Sequence, residues 1–95
     1  MECKQVVFSG HAVQRMFERG ISKSDVLAVI ASGEVIAEYL DDEPLPSYLI
    51  LGFMEGHPLH IVVGVDHLTQ TGYLITAYTP DLSLWNSDFK TRRAP

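Results

Sequence analysis

The chain has one cysteine, Cys3, one tryptophan, Trp85, and seven basic residues against twelve acidic ones in 95 positions. A lone cysteine excludes an intramolecular disulfide and any zinc site built on paired cysteines. It also predicts a reducing compartment, since small secreted domains are usually held by several bridges. No apolar run approaches the ~20 residues a spanning helix requires, so no membrane association is expected. The opening residues, Met1 to Gln5, show no basic segment followed by an apolar stretch and so predict no signal peptide. A cytoplasmic protein is the expectation. The net charge of −5 lacks the overall basic footprint of nucleic-acid binders, whose affinity comes largely from neutralising phosphates. The charge is uneven, however. Glu34, Glu38, Asp41, Asp42 and Glu43 cluster mid-chain, whereas Lys90, Arg92 and Arg93 gather near the C-terminus and keep a local basic site open.

Several motifs are missing as well. There is no glycine-rich dinucleotide or phosphate loop, no nucleophile elbow and no paired-histidine zinc spacing. No cofactor and no metal are therefore expected. What is present is ordinary for a globular domain: 46% hydrophobic and 20% charged residues. Residues 1–95 make room for one core and one domain.

Residues 5–8 read as a short strand, and Ser9 offers an N-cap hydroxyl to a helix that Gly20 ends. Val13, Met16 and Phe17 recur at helical spacing and are expected on its core face. Ser22 and Asp25 form a capping-box pattern for a second helix, with Val26, Val29 and Ile30 apolar and Gly33 as its stop. The period then changes to two. Strands are expected at 35–40, 48–54, 59–66 and 72–79, joined by turns that include Glu55-Gly56-His57-Pro58 and 67–71. Pro80 ends the last strand, and the tail that follows, through Trp85 to Pro95, is expected to add one short helical turn. The predicted class is α+β: a β-α-α unit followed by a four-stranded antiparallel sheet, with both helices packed on one face.

Two polar groupings could carry chemistry. His11 and Arg15 share one helical stripe, with Glu18 and Arg19 close by. The stripe supports a proton acceptor beside an anion-holding guanidinium. It equally supports a solvated face in which the arginines pair with Glu18 or Asp25. In the later strands, alternation puts Ile61, Val63, Ile75 and Ala77 on a core face. His60, Val62, Thr76 and Tyr78 then share the opposite one. That face is either a site with imidazole, hydroxyl and phenol groups, or the normal decoration of a half-solvated sheet. His57 and His67 fall in turns and are expected at the surface.

Three segments carry a family likeness: Phe8 to Ser22, Pro46 to Gly52 leading to Gly56–His60, and Leu74 to Pro80. Together they resemble the bacterial family known as domain of unknown function 4258, whose opening reads S-x-H-A-x-x-R-M-x-x-R-G-I. Members are similar to RelE-like toxins in element order, and some are encoded beside small antitoxin-like proteins. The resemblance implies a toxin–antitoxin-type protein, with RNA and a small antitoxin as partners and metal-independent RNA cleavage as its activity. It places the family's motif on His11, Arg15, Arg19, Gly20, His60, Thr76 and Tyr78. The implied catalytic set is then His11, Arg15, Arg19, His60 and Tyr78, with Thr76 toward substrate; Arg92 and Arg93, from the basic C-terminal cluster and not from the motif, are expected to bind substrate as well. The alternative is a non-catalytic interaction module descended from such a toxin.

Overall fold

A computed structural model describes residues 1–94. Local signals settle most element ends. α1 (Gly10–Arg19) begins where the Ser9 hydroxyl accepts from the Ala12 amide at 3.1 Å. It ends at Gly20, whose φ of 67° lets its amide reach back to the Met16 and Phe17 carbonyls. α2 (Lys23–Ser32) carries the capping box: the Asp25 amide donates to the Ser22 hydroxyl at 3.0 Å, and the Ser22 amide donates to the Asp25 carboxylate at 3.3 Å. Gly33 follows because there is no room for a side chain. An added Cβ would sit 2.5 Å from the Val29 carbonyl oxygen and 2.7 Å from Ile50 Cγ2.

The strands are β1 (Gln5–Val7), β2 (Glu34–Tyr39), β3 (Ser47–Met54), β4 (His57–Asp66) and β5 (Thr71–Tyr78). Glu55 and Gly56 join β3 to β4 as a two-residue turn, both with positive φ (54° and 81°), as the tightest hairpins require. The five strands make one mixed sheet in the order β1-β5-β4-β3-β2. This corrects the expected four-stranded antiparallel sheet. β2 to β5 pair antiparallel through short connections, but β1 joins as a fifth strand, parallel to β5, with Gln5 to Val7 beside Thr71 to Tyr73. Turn length reveals only sequential neighbours, and β1 has no short connection to any strand.

Both helices cover one face, α1 against β5 and α2 against β3 and β4. The core there consists of Ala12, Met16, Val26, Val29 and Ile30 on Ile50, Leu59, Ile61, Val63, Val65, Leu74 and Ala77. Two expectations fail. Phe17 is 86% exposed, because α1 turns Ala12 and Met16 onto the sheet and leaves Phe17 beyond the edge of that stripe. Ile75 is 53% exposed, because β5 is bulged. Val62 pairs with Thr76 but Val63 with Leu74, which leaves Ile75 without a partner. Leu74 and Ala77 thus both face the core although they are three residues apart, and Ile75 swings outward.

The far face is not bare. Leu49, Leu51, His60 and Trp85 are buried outside the helix-side core. The cover comes from the segment after β5. One turn at Asp81–Trp85 is closed by the Leu84 and Trp85 amides on the Asp81 carbonyl. The chain then doubles back so that Trp85 bridges Arg92. Lys90 ties this segment to β2 through Glu34 at 2.8 Å. No helix among the described residues is long and apolar enough to cross a membrane.

Candidate active site on the outer sheet face

Alternation along β4 and β5 sets His60 directly opposite Tyr78 on the face away from the helices. Their rings meet edge to face, with centroids 5.3 Å apart, and His60 Nδ1 lies 3.2 Å from the Tyr78 hydroxyl. The Trp85 ring closes over the imidazole at 4.6 Å, nearly perpendicular to it. Phe89 supplies the last contact, its carbonyl oxygen 2.7 Å from His60 Nε2. A carbonyl only accepts, so Nε2 must carry a proton. In the neutral ring Nδ1 is then the acceptor, and the Tyr78 hydroxyl donates to it.

The geometry that aims the Phe89 carbonyl is built locally. Phe89 takes a φ of 59°, uncommon for a residue with a side chain, and its amide bonds the Asn86 carbonyl at 2.9 Å. Asp88 holds the turn by accepting from the Lys90 amide at 2.9 Å and from the Thr91 amide at 3.1 Å. It also accepts from the Thr91 hydroxyl at 2.9 Å. These bonds favour the ionised carboxylate and lower its proton affinity. The Phe89 ring rests edgewise on Phe53 of β3.

Burial dominates the electrostatics. It disfavours the charged imidazolium and lowers the pKa of His60, while the bond to the Phe89 carbonyl pulls the other way. Burial likewise raises the Tyr78 phenol, with Tyr39 adding to the effect and the Arg92 guanidinium opposing it. Arg92 itself lies over the Trp85 ring at 5.3 Å. The result is a relay: a carbonyl orients an imidazole, the imidazole accepts from a phenol, and a cation lies over the indole that covers the imidazole. Such an arrangement can draw a proton off a hydroxyl that approaches Tyr78.

The other expected residues lie elsewhere. His11 is exposed on α1. Arg15, half exposed, stands 3.8 Å from Glu18, the ion pair that the solvated-face reading anticipates. Arg19 does structural work. β1 covers only the first three residues of β5, and beyond it Arg19 Nη1 donates to the Ala77 carbonyl at 2.8 Å and to the Thr76 hydroxyl at 3.2 Å. Thr76 is therefore taken up by Arg19 at the sheet edge. Arg93 turns back to donate to the Leu82 carbonyl. His57 and His67 are exposed, but His67 Nε2 meets the Tyr48 hydroxyl at 2.7 Å. Among the described residues, no three or more His, Cys, Asp or Glu side chains gather where they could hold a metal ion.

Sequence reasoning missed the roles of Trp85, Phe89 and Tyr39. Only the apolar and aromatic residues of the tail, Leu82, Leu84, Trp85 and Phe89, hinted at the cover. No curated protein matches the chain, and no solved structure does. A family model does match, over residues 8–79, a span that holds both His60 and Tyr78 but stops before their cover. By that match the chain belongs to the family described as Domain of unknown function (DUF4258).

Proposed function

We propose that the chain is a toxin–antitoxin-type, RelE-like protein that cleaves RNA without a metal, with Tyr78 as its catalytic residue. The observation that carries this reading is the hydrogen-bonded series from the Phe89 carbonyl through His60 to the Tyr78 hydroxyl. Cleavage by 2′-hydroxyl attack needs a base near that hydroxyl and a cation near the phosphate. Tyr78 takes the 2′-proton as its own proton passes to His60 Nδ1, and the imidazolium so formed, which burial disfavours, is short-lived and drives the proton back. The 2′-oxygen bonds to phosphorus, and the bond to the 5′-oxygen breaks. The proton then returns through Tyr78 to the leaving oxygen, so the pair ends as it began. His60 is fully buried and touches no substrate, so it acts as a positioning residue and proton store. Arg92, whose guanidinium lies over the Trp85 ring of the same cover, would hold the phosphate.

The test is cleavage of a mixed-sequence RNA in the presence of a chelator. Tyr78→Phe keeps the ring and loses the hydroxyl, so a drop of about 10²–10⁴-fold, the usual worth of a general acid–base group, is expected. His60→Gln should lower the rate and remove the fall in activity toward acid pH that protonation of His60 causes. Arg92→Ala should raise KM. His11→Ala and Arg15→Ala should change little. Activity that survives Tyr78→Phe sinks the assignment.

One observation favours a second reading. Two of the arginines the family motif supplies are already engaged, Arg15 with Glu18 and Arg19 with β5, on a chain of net charge −5. A non-catalytic interaction module fits that charge. Wild-type inactivity at high protein concentration would favour it.

A further inference from the structure

The bulge that turns Ile75 outward also builds a groove. Ile75 and Tyr73, both on β5 and both partly exposed, form one wall. Asp42, Glu43, Pro44 and Leu45, from the loop between β2 and β3, form the other, around about 450 Å³. Gly64 of β4 lies beneath. A Cβ there would stand 3.7 Å from Ile75 Cδ1 and 3.9 Å from Leu45 Cβ, so the missing side chain keeps the floor low. The lining is thus apolar along its length and acidic at one rim.

The rim is not neutralised from within. Among the described residues the ion pairs are Arg15–Glu18 and Lys90–Glu34, so Glu38, Asp41, Asp42 and Glu43 have no cationic partner. Asp42 accepts a hydrogen bond from Ser47, which positions its carboxylate and leaves its charge in place. An apolar trough beside uncompensated carboxylates selects by charge. It repels acidic surfaces and RNA, and attracts basic ones.

We propose that this groove docks a basic amphipathic segment of a partner protein, one branched or aromatic side chain seated between Pro44 and Tyr73 and its lysines or arginines against Glu43 and its neighbours. The site is separate from the Tyr78 relay and does not depend on it. Apolar anchorage supplies the affinity, and the rim supplies sign selection and a salt-sensitive on-rate.

The probe is a fluorescein-labelled peptide of alternating lysine and leucine with one tryptophan, read by anisotropy on the full chain. Its counterpart carries glutamate in place of lysine. Binding of the basic peptide should weaken at least tenfold in Ile75→Lys and in Glu43→Lys, and weaken in 0.5 M salt. Glu18→Lys, an equal charge change on α1, should leave it unchanged. Tyr73→Ser serves as a second groove variant if Ile75→Lys melts early. No binding, equal binding of the acidic peptide, or binding indifferent to the groove variants overturns the proposal. So does a wild-type dimer that Ile75→Lys converts to monomer, since the occupant would then be a second copy of this chain. RNA cleavage is scored separately, so loss of one reading leaves the other standing.

Discussion

His60 gives the most direct handle on the outer face, because its protonation state follows from its surroundings. It is fully buried, and the groups against it are the Tyr78 hydroxyl, the Trp85 ring and the Phe89 carbonyl, with Arg92 the nearby charge. Among the described residues no carboxylate pairs with His60, and burial holds its pKa below the ordinary 6.5. Below 6.5 the unfolded chain therefore binds a proton that the native chain refuses. Stability from this residue is fully present above 6.5 and is lost as pH falls from there toward the folded value. One proton sets the limit: about 1.4 kcal/mol per pH unit within that window. Urea unfolding of wild type and His60→Gln from pH 7.5 to 5 isolates the effect, since every other titrating group cancels in the difference. At pH 7.5 the variant should be less stable by about 1–3 kcal/mol, the cost of leaving buried partners poorly satisfied. The gap should shrink as pH falls, because only the wild type has this imidazole to protonate. A constant gap would mean that His60 titrates alike in both states. A gap widening in acid would mean that the site welcomes the charged ring and that burial does not set its proton affinity.

Three further outcomes test the fold and the cover. An added methyl at Gly52 would lie 2.5 Å from Val29 Cγ2 and 2.9 Å from Cγ1, so Gly52→Ala should cost about 1–3 kcal/mol of unfolding free energy. Val29→Ala removes both clashing methyls, so the double variant should be more stable than the two losses added together, and strict additivity would refute the clash. Ile61→Ala should cost about 2–5 kcal/mol, whereas Phe17→Ala should stay within about 0.5 kcal/mol; comparable losses would mean α1 docks through a different stripe. Asp88→Ala should loosen the turn that presents the Phe89 carbonyl. Trp85 is the single tryptophan, so a red shift and easier quenching of its fluorescence should report that loosening, and an unchanged spectrum would mean the cover does not depend on Asp88.

What the sequence reveals here is what is encoded nearby. Ser9, Ser22, Asp25, Gly20 and the Glu55-Gly56 turn act on amides and carbonyls a few residues away, and each is legible on sight. The pairing of His60 with Tyr78 belongs to the same class, because alternation along two adjacent strands suffices to set them on one face. Alternation fails at Ile75 because one unpaired residue changes the count, and nothing in Leu74-Ile75-Thr76 announces a bulge. Phe17 misleads for a different reason. Hydrophobic spacing ranks it above Ala12, yet a helix pressed close to a sheet favours the small residue, and Ala12 is 4% exposed. The contacts of Arg19 to Thr76 and Ala77, and of Phe89 to His60, join positions 57, 58 and 29 residues apart, a separation that no local pattern spans.

That division bears on function. Local pattern identifies which groups share the outer face, but the chemical state of those groups depends on the irregular segment that folds over them. Without the Phe89 carbonyl, His60 could take either tautomer, and nothing would commit its Nδ1 to accepting from Tyr78. Without Trp85 the imidazole would be hydrated and its proton affinity ordinary. The family match covers His60 and Tyr78 and ends before the segment that closes over them. Two chains with the same His60 and Tyr78 but different segments after Thr79 would then present the same pair in different protonation states. The proposed cleavage is therefore tied to the C-terminal cover as closely as to the motif, and exchanging residues 80–94 should alter its pH dependence while leaving the helix-side core intact.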